Sequence, residues 1–167
     1  MITKAIKKFF IETFNQDVTN VEVILGEETC YDHSCKRTIF ISSNYVGIGA
    51  EIAVVHELCH MLQIENNISL TLHELDIKAL DSKQRIYNIK TNEDLLEIDA
   101  HLVCSLFVYR ECGLDGLNLY FNKRFEDIPY HLIHKLITKI ENRYDEHILA
   151  DAFSMMKGGD SNRVKVS

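Results

Sequence analysis

Residues 50–64 read AEIAVVHELCHMLQI, and the pentapeptide HELCH occupies His56 to His60. Apolar residues on nearly every side of this stretch predict a buried helix. Positions four apart lie one turn above each other on the same face of a helix, so His56 and His60 can face one ion. The glutamate that follows the first histidine completes the H-E-x-x-H zinc pattern. We therefore expect Zn²⁺ bound by His56 and His60, with Glu57 taking a proton from the zinc-bound water.

The predicted burial of this helix favours the metal interpretation. Burying two imidazoles and a carboxylate costs several kcal/mol unless each group finds a partner, and a cation supplies one for the imidazoles. The alternative is a pair of core histidines hydrogen-bonded to the backbone or to carboxylates. That interpretation leaves Glu57 as a third buried polar group without a purpose. Cys59 lies next to His60 but points elsewhere on the helix, so we expect a small core residue there.

A catalytic zinc site needs a third protein ligand, since zinc usually takes three side chains and keeps one position for water. The preferred candidate is Glu97, in the segment Glu97-Ile98-Asp99-Ala100-His101 of a strong amphipathic helix. The face that starts at Glu97 continues through His101, Cys104 and Val108, which predicts an inward-facing, buried carboxylate. The alternative is a solvated glutamate that is favoured in the first helical turn by the helix dipole.

Other residues could complete the site instead. His73 follows His60 by thirteen positions and would make an all-imidazole site. Asp99 and His101 are further alternatives. Asp99 could also orient a ligand histidine, although its position on the helical wheel predicts a solvent-facing side chain. For the hydrogen-bond donor that a tetrahedral oxyanion needs, the candidates are His101, Tyr109, Tyr130, His131 and His134.

The N-terminal third of the chain predicts one helix and two strands. Apolar residues fall on one face of residues 2–14, which predicts an amphipathic helix packed on the core rather than on a membrane. Alternating β-branched residues predict strands at 21–25 and 38–41, paired antiparallel across a loop at 26–36. That loop contains Cys30 and Cys35, but four zinc-coordinating groups at a familiar spacing are absent, so we expect no metal knuckle.

The remainder of the chain predicts mostly helices. Residues 68–89 are ambiguous, and we favour a short helix followed by a mobile polar connection. Thr91 has the features of an N-cap for a helix over 93–112 that ends at Gly113. An aromatic-bearing connection over 116–126 follows. Two more helices are expected over 129–144, with Leu132, Leu136, Ile137 and Ile140 as its buried stripe, and over 146–156.

Composition limits the class of protein. The 167 residues carry a formal net charge of −7, which argues against a general phosphate-binding surface and hence a nucleic-acid partner. We expect one domain over residues 1–157 and a flexible tail over 158–167. No stretch has the length and apolar character of a membrane span. The sequence shows no secretory signal pattern, and its five cysteines are an odd number, so we expect reduced thiols in the cytoplasm.

The HELCH pentapeptide, followed by Glu97-Ile98-Asp99-Ala100 on a second helix, resembles the gluzincin arrangement. It is similar more narrowly to the ImmA/IrrE-type metallopeptidases, whose pattern is HELxH and then a helical E-x-[ED]-A. The resemblance spans roughly residues 36 to 110. It implies that Glu97 completes the zinc site, and that the fold is α+β, a mostly helical zincin-like domain with a small antiparallel sheet packed on the HExxH helix. It also implies that the strand before that helix pairs with an extended substrate.

The expected function is zinc-dependent hydrolysis of peptide bonds in a protein or peptide substrate. A second hypothesis is a regulatory or binding protein that keeps a zincin-like metal site without proteolysis. An intact HExxH pattern disfavours it, because a binding protein has no use for Glu57. A purely structural zinc site is disfavoured too, since closed sites prefer four ligands, usually with cysteine.

Overall fold

The computed structural model describes residues 2–31, 36–67, 69–72, 92–124, 133 and 135–137. It has two compact units, Met1–Leu70 and Thr71–Ser167, which we treat separately. The first unit contains helix α1 (Lys4–Phe14), strands β1 (Glu22–Gly26), β2 (Cys30–Tyr31) and β3 (Thr38–Ser42), and helix α2 (Ile48–Asn66). The second contains helix α3 (Asn92–Arg124). The fold is thus α and β, mostly helical with one small mixed sheet, as the α+β prediction requires in its coarse form.

Helix α1 confirms the helix predicted at the N-terminus. Thr3 caps it, because its hydroxyl oxygen accepts a hydrogen bond from the backbone N–H of Ile6 at 3.3 Å. The same hydroxyl donates to the carboxylate of Glu51 in α2 at 3.2 Å. Ile6, Phe9 and Phe10 are buried, so the apolar face of α1 forms part of the core of the first unit.

The sheet differs from the predicted antiparallel pair. β1 and β3 are parallel, with Glu22 opposite Thr38, whereas the short β2 pairs antiparallel with β3. The strand order is β1-β3-β2. The predicted pairing is wrong because the 26–36 loop contains a strand of its own, which takes the antiparallel position beside β3. The central position of β3 also contradicts the expectation that it pairs with substrate, since both of its edges already bond to neighbouring strands.

Arg37 lies in the connection that precedes β3 and binds three groups from other segments. Its guanidinium donates hydrogen bonds to the carbonyl oxygens of Asn20 at 3.3 Å and Asp17 at 2.6 Å, and to the carboxylate of Glu65 near the end of α2 at 3.1 Å. Arg37 has a φ of +53°, in the left-handed region that non-glycine residues rarely adopt. These contacts hold the backbone in that conformation. The pKa of the Asp17 carboxyl lies below its ordinary value of 3.8, because the hydroxyl of Thr19 and then its backbone N–H donate hydrogen bonds to the carboxylate.

Helix α2 confirms the central buried helix and extends the predicted span by two residues at each end. It packs on β3 and β2 and ends at Asn67 in the left-handed conformation. Nine of its nineteen residues are buried. They are Ala53, Val54, Val55, Glu57, Leu58, Cys59, Met61, Leu62 and Gln63. The HELCH residues therefore lie on a helix that the sheet covers, and Cys59 is the core residue that the sequence predicts.

Helix α3 of the second unit is longer than predicted. Residues 98–109 are all buried, including Cys104 and Val108. Gly113 interrupts the helix with φ +69° and ψ −165°, as the predicted glycine stop requires, but helical structure resumes and reaches Arg124. The predicted irregular connection over 116–126 is therefore wrong. Leu117 and Tyr120 are both buried, and their three-residue spacing lets one face of the resumed helix lie against the core.

Several predictions fall outside the described residues. They concern most of the 68–89 segment, the Thr91 cap, the helix over 146–156 and the tail over 158–167. Within the predicted 129–144 helix, residues 133 and 135–137 are helical, and Ile133, Leu136 and Ile137 are buried. Leu132 and Ile140 lie outside the described residues. The single-domain boundary at 157 stays a prediction. In the part of the chain that the structure describes, no helix has the length and hydropathy needed to cross a membrane.

Candidate metal centre

Helix α2 brings the imidazole rings of the two HELCH histidines close together, with the edge of one ring towards the face of the other. Nε2 of His60 lies 3.1 Å from Nε2 of His56. The rings are nearly perpendicular, at 84°, with their centroids 4.7 Å apart. Both side chains are half-buried. The predicted convergence of these imidazoles is therefore present, and it follows from the four-residue spacing on one helix.

The separation of the two nitrogens fits a shared zinc ion. Zinc binds histidine nitrogen at about 2.0–2.1 Å with tetrahedral geometry, which places two ligand nitrogens about 3.3 Å apart. The observed 3.1 Å is close to this value. The neutral imidazole nitrogen is also a ligand type that zinc prefers. The residues present therefore fit the metal that the sequence predicts.

Glu57 adds a buried carboxyl group to the same turn of α2. Its exposed fraction is 6%, and a glutamate is almost never fully buried unless it is paired. The three polar residues of HELCH thus occupy a part of the helix that is otherwise apolar. The role of general base that the sequence assigns to Glu57 stays a prediction.

Glu97 lies on α3 of the second unit, and its assignment as the third ligand stays a prediction. The predicted burial of its carboxylate is wrong, since the Glu97 side chain is 54% exposed. The reason lies in α3, whose continuous buried run begins only at Ile98.

The residues proposed as alternatives to Glu97 are Asp99, His101 and His73. Asp99 is fully buried and accepts hydrogen bonds from both the backbone N–H and the hydroxyl of Thr71, so the prediction that it faces solvent is wrong. His101 is buried, with Nε2 4.0 Å from an oxygen of Glu97 one helical turn away. His73 lies outside the described residues.

No family model, curated protein or solved structure matches this chain.

The proposed oxyanion donors divide into two groups. His101 and Tyr109 are buried on α3, whereas Tyr130, His131 and His134 lie outside the described residues. The role of each stays a prediction.

One residue with a polar contact to the site was missed at the sequence level. Gln63 is buried, and its Oε1 lies 2.8 Å from Nδ1 of His60. Its spacing is a signal that sequence analysis could have used. A polar residue three positions after a ligand histidine lies on the same face of a helix and can reach the second ring nitrogen.

Proposed function

We propose that the protein is a zinc-dependent peptide hydrolase of the gluzincin type. The observation that carries the proposal is the 3.1 Å approach of Nε2 of His56 to Nε2 of His60 on α2, with Glu57 buried on the same helix. Two converging imidazoles alone would suit many zinc sites. The glutamate is what turns the arrangement into a candidate hydrolytic centre, because water-based hydrolysis needs a base within the same site.

His56, His60 and Glu97 would hold the zinc. The approach of the two imidazoles on α2 supports two members of this set, and three protein ligands leave the open position that catalytic sites keep. When bound, zinc supplies Lewis-acid chemistry and lowers the pKa of water towards neutrality. The half-exposed side chain of Glu97 leaves that ligand accessible from solvent.

Glu57 would act as the general base and then as the general acid. Its carboxylate accepts a proton from the attacking water and donates it to the amine that leaves when the peptide bond breaks.

The substrate we propose is an extended segment of a protein or peptide. β1 and β2 are the edge strands of the sheet, and each pairs only with β3 among the described residues. The outer edge of β1 offers backbone donors and acceptors of the kind that an extended chain can join, so β1 replaces β3 in this role.

The test is proteolysis of an unfolded polypeptide, with new termini identified by mass spectrometry. The zinc-loaded protein is expected to cleave, a chelator to stop cleavage, and added zinc to restore it. Glu57→Gln is expected to keep its zinc and lose about 10²–10⁴-fold in rate. Glu111→Gln, which alters an exposed glutamate on α3, is the matched control and should cleave normally.

Two results would overturn the proposal. If Glu57→Gln cleaves as fast as the unaltered protein, Glu57 is not the base. If the zinc-loaded protein produces no new termini in any polypeptide, it is not a peptidase, and the regulatory or binding hypothesis takes its place.

A further inference from the structure

Gln63 is a buried amide in the last part of α2, one turn beyond His60. Its exposed fraction is 4%. A buried amide without hydrogen bonds is costly, and both ends of this one have contacts. Oε1 lies 2.8 Å from Nδ1 of His60, and Nε2 donates to Sγ of Cys59 at 3.5 Å. The side chain therefore links the ring of His60 to the buried thiol of Cys59.

The contact with His60 has a consequence for the position of the proton on that ring. An amide oxygen can only accept a hydrogen bond, so Nδ1 of His60 must carry the hydrogen. In a neutral imidazole the other nitrogen, Nε2, then has a free lone pair. Nε2 is the atom that faces His56. A metal ligand needs this tautomer, with the lone pair directed at the ion and the N–H directed away from it.

We infer that Gln63 is the positioning residue of the metal centre, holding His60 in the Nδ1–H tautomer so that Nε2 can bind the ion. The inference deepens the proposed function and rests on its metal site. Outer hydrogen-bond partners of zinc-bound histidines are usually carboxylates, backbone carbonyls or waters. This chain uses a side-chain amide, which fixes the ring without adding a negative charge to the site.

The orientation of the amide decides the tautomer. If the amide were turned over, its NH₂ group would donate to Nδ1 of His60, and the proton of the neutral ring would lie on Nε2, where it would block metal binding. In the structure, Oε1 of Gln63 lies towards the histidine and Nε2 donates to Sγ of Cys59.

The experiment is a long-range ¹H–¹⁵N NMR measurement of histidine tautomers in the full-length, chelator-treated protein at a pH where both rings are neutral. The expected result is Nδ1–H for His60. Gln63→Leu should shift His60 towards the Nε2–H form, whereas Gln63→Glu, which keeps an acceptor at the same place, should retain Nδ1–H. An Nε2–H form of His60 in the unaltered protein would overturn the inference.

Zinc titration of the same variants gives the second measurement. Gln63→Leu is expected to bind zinc about 10–100-fold more weakly, and Gln63→Glu to bind as tightly as the unaltered protein or more tightly. Equal affinity in Gln63→Leu would also overturn the inference. If Gln63→Leu does not fold, the tautomer of His60 in the unaltered protein decides.

Failure of the inference can be distinguished from failure of the proposed function. If His60 is in the Nδ1–H form but the protein binds no zinc, Gln63 sets the tautomer and the proposed function is wrong. If zinc binds and peptides are cleaved while His60 is in the Nε2–H form in the metal-free state, the function stands and the role of Gln63 is wrong.

Discussion

The carboxylate of Asp99 accepts two hydrogen bonds from Thr71, one from its backbone N–H at 2.7 Å and one from its hydroxyl. Both residues are fully buried. The pair fixes the segment around Thr71 to helix α3 within the second unit. A carboxylate on the inner face of a helix is costly unless it is hydrogen-bonded, and Thr71 supplies that bonding.

Asp99→Ala is expected to destabilise the protein, because it leaves the buried N–H and hydroxyl of Thr71 without this acceptor. The expected loss in the free energy of unfolding is about 3 kcal/mol, since hydrogen bonds to charged groups contribute about 1.5–3 kcal/mol each. Thr71→Val removes only the hydroxyl and should cost less. Urea denaturation of the single and double variants measures the coupling. Strictly additive effects would contradict a direct interaction.

Replacement of Glu97 tests its assignment as the third ligand. Glu97→Ala should weaken zinc binding by on the order of 100-fold or more, since loss of an outer partner alone costs about 10–100-fold. Glu97→Asp keeps the carboxylate on a shorter side chain and should be intermediate. Glu111→Ala changes an exposed glutamate on the same helix and serves as the control. Unchanged affinity in Glu97→Ala would exclude Glu97 and favour His73 as the third ligand.

Gly116 lies in α3 just after the kink at Gly113, and a Cβ at this position would overlap the Cβ of Cys112. Because Cβ is attached directly to the backbone, it cannot rotate away. Gly116→Ala is therefore expected to lower the free energy of unfolding by about 1–3 kcal/mol. At Gly26 an added Cβ meets nothing within 4 Å, so Gly26→Ala is the matched control. Equal stability of the two variants in thermal denaturation would contradict the close approach.

Arg37 is expected to stabilise the first unit through three contacts at the cost of a left-handed backbone. Arg37→Ala should lower the free energy of unfolding by about 1–3 kcal/mol. Arg37→Gly loses the same contacts but adopts positive φ without strain, so it should be about 1 kcal/mol more stable than Arg37→Ala. Lys36→Ala, an exposed change next to it, should have little effect. A loss no larger than that of Lys36→Ala would contradict the role of Arg37.

The elements that the sequence predicts best are those with a strong local pattern. α1, α2 and the first half of α3 follow from apolar spacing, and the His56–His60 approach follows from helix geometry alone. The pairing of β1 with β3 depends on a long-range choice that strand patterns do not encode. β2, the short strand inside the connecting loop, takes the antiparallel position beside β3.

The burial of individual carboxylates was predicted wrongly. Asp99 and Glu97 are two residues apart on α3, and the helical wheel predicts the reverse of their observed exposure. Asp99 is buried because Thr71, 28 residues earlier in the chain, bonds to it. Glu97 is exposed because it precedes the fully buried run of α3. Both outcomes depend on contacts between segments that are distant in sequence.

The most direct test of the account is calorimetric titration of the chelator-treated protein with Zn²⁺. We predict one equivalent of tightly bound zinc per chain, the same stoichiometry in Glu57→Gln, and no tight binding in the double variant His56→Ala/His60→Ala. Circular dichroism shows whether each variant is folded. Absence of tight binding in the folded, unaltered protein, or tight binding retained by the double variant, would contradict a metal centre on α2.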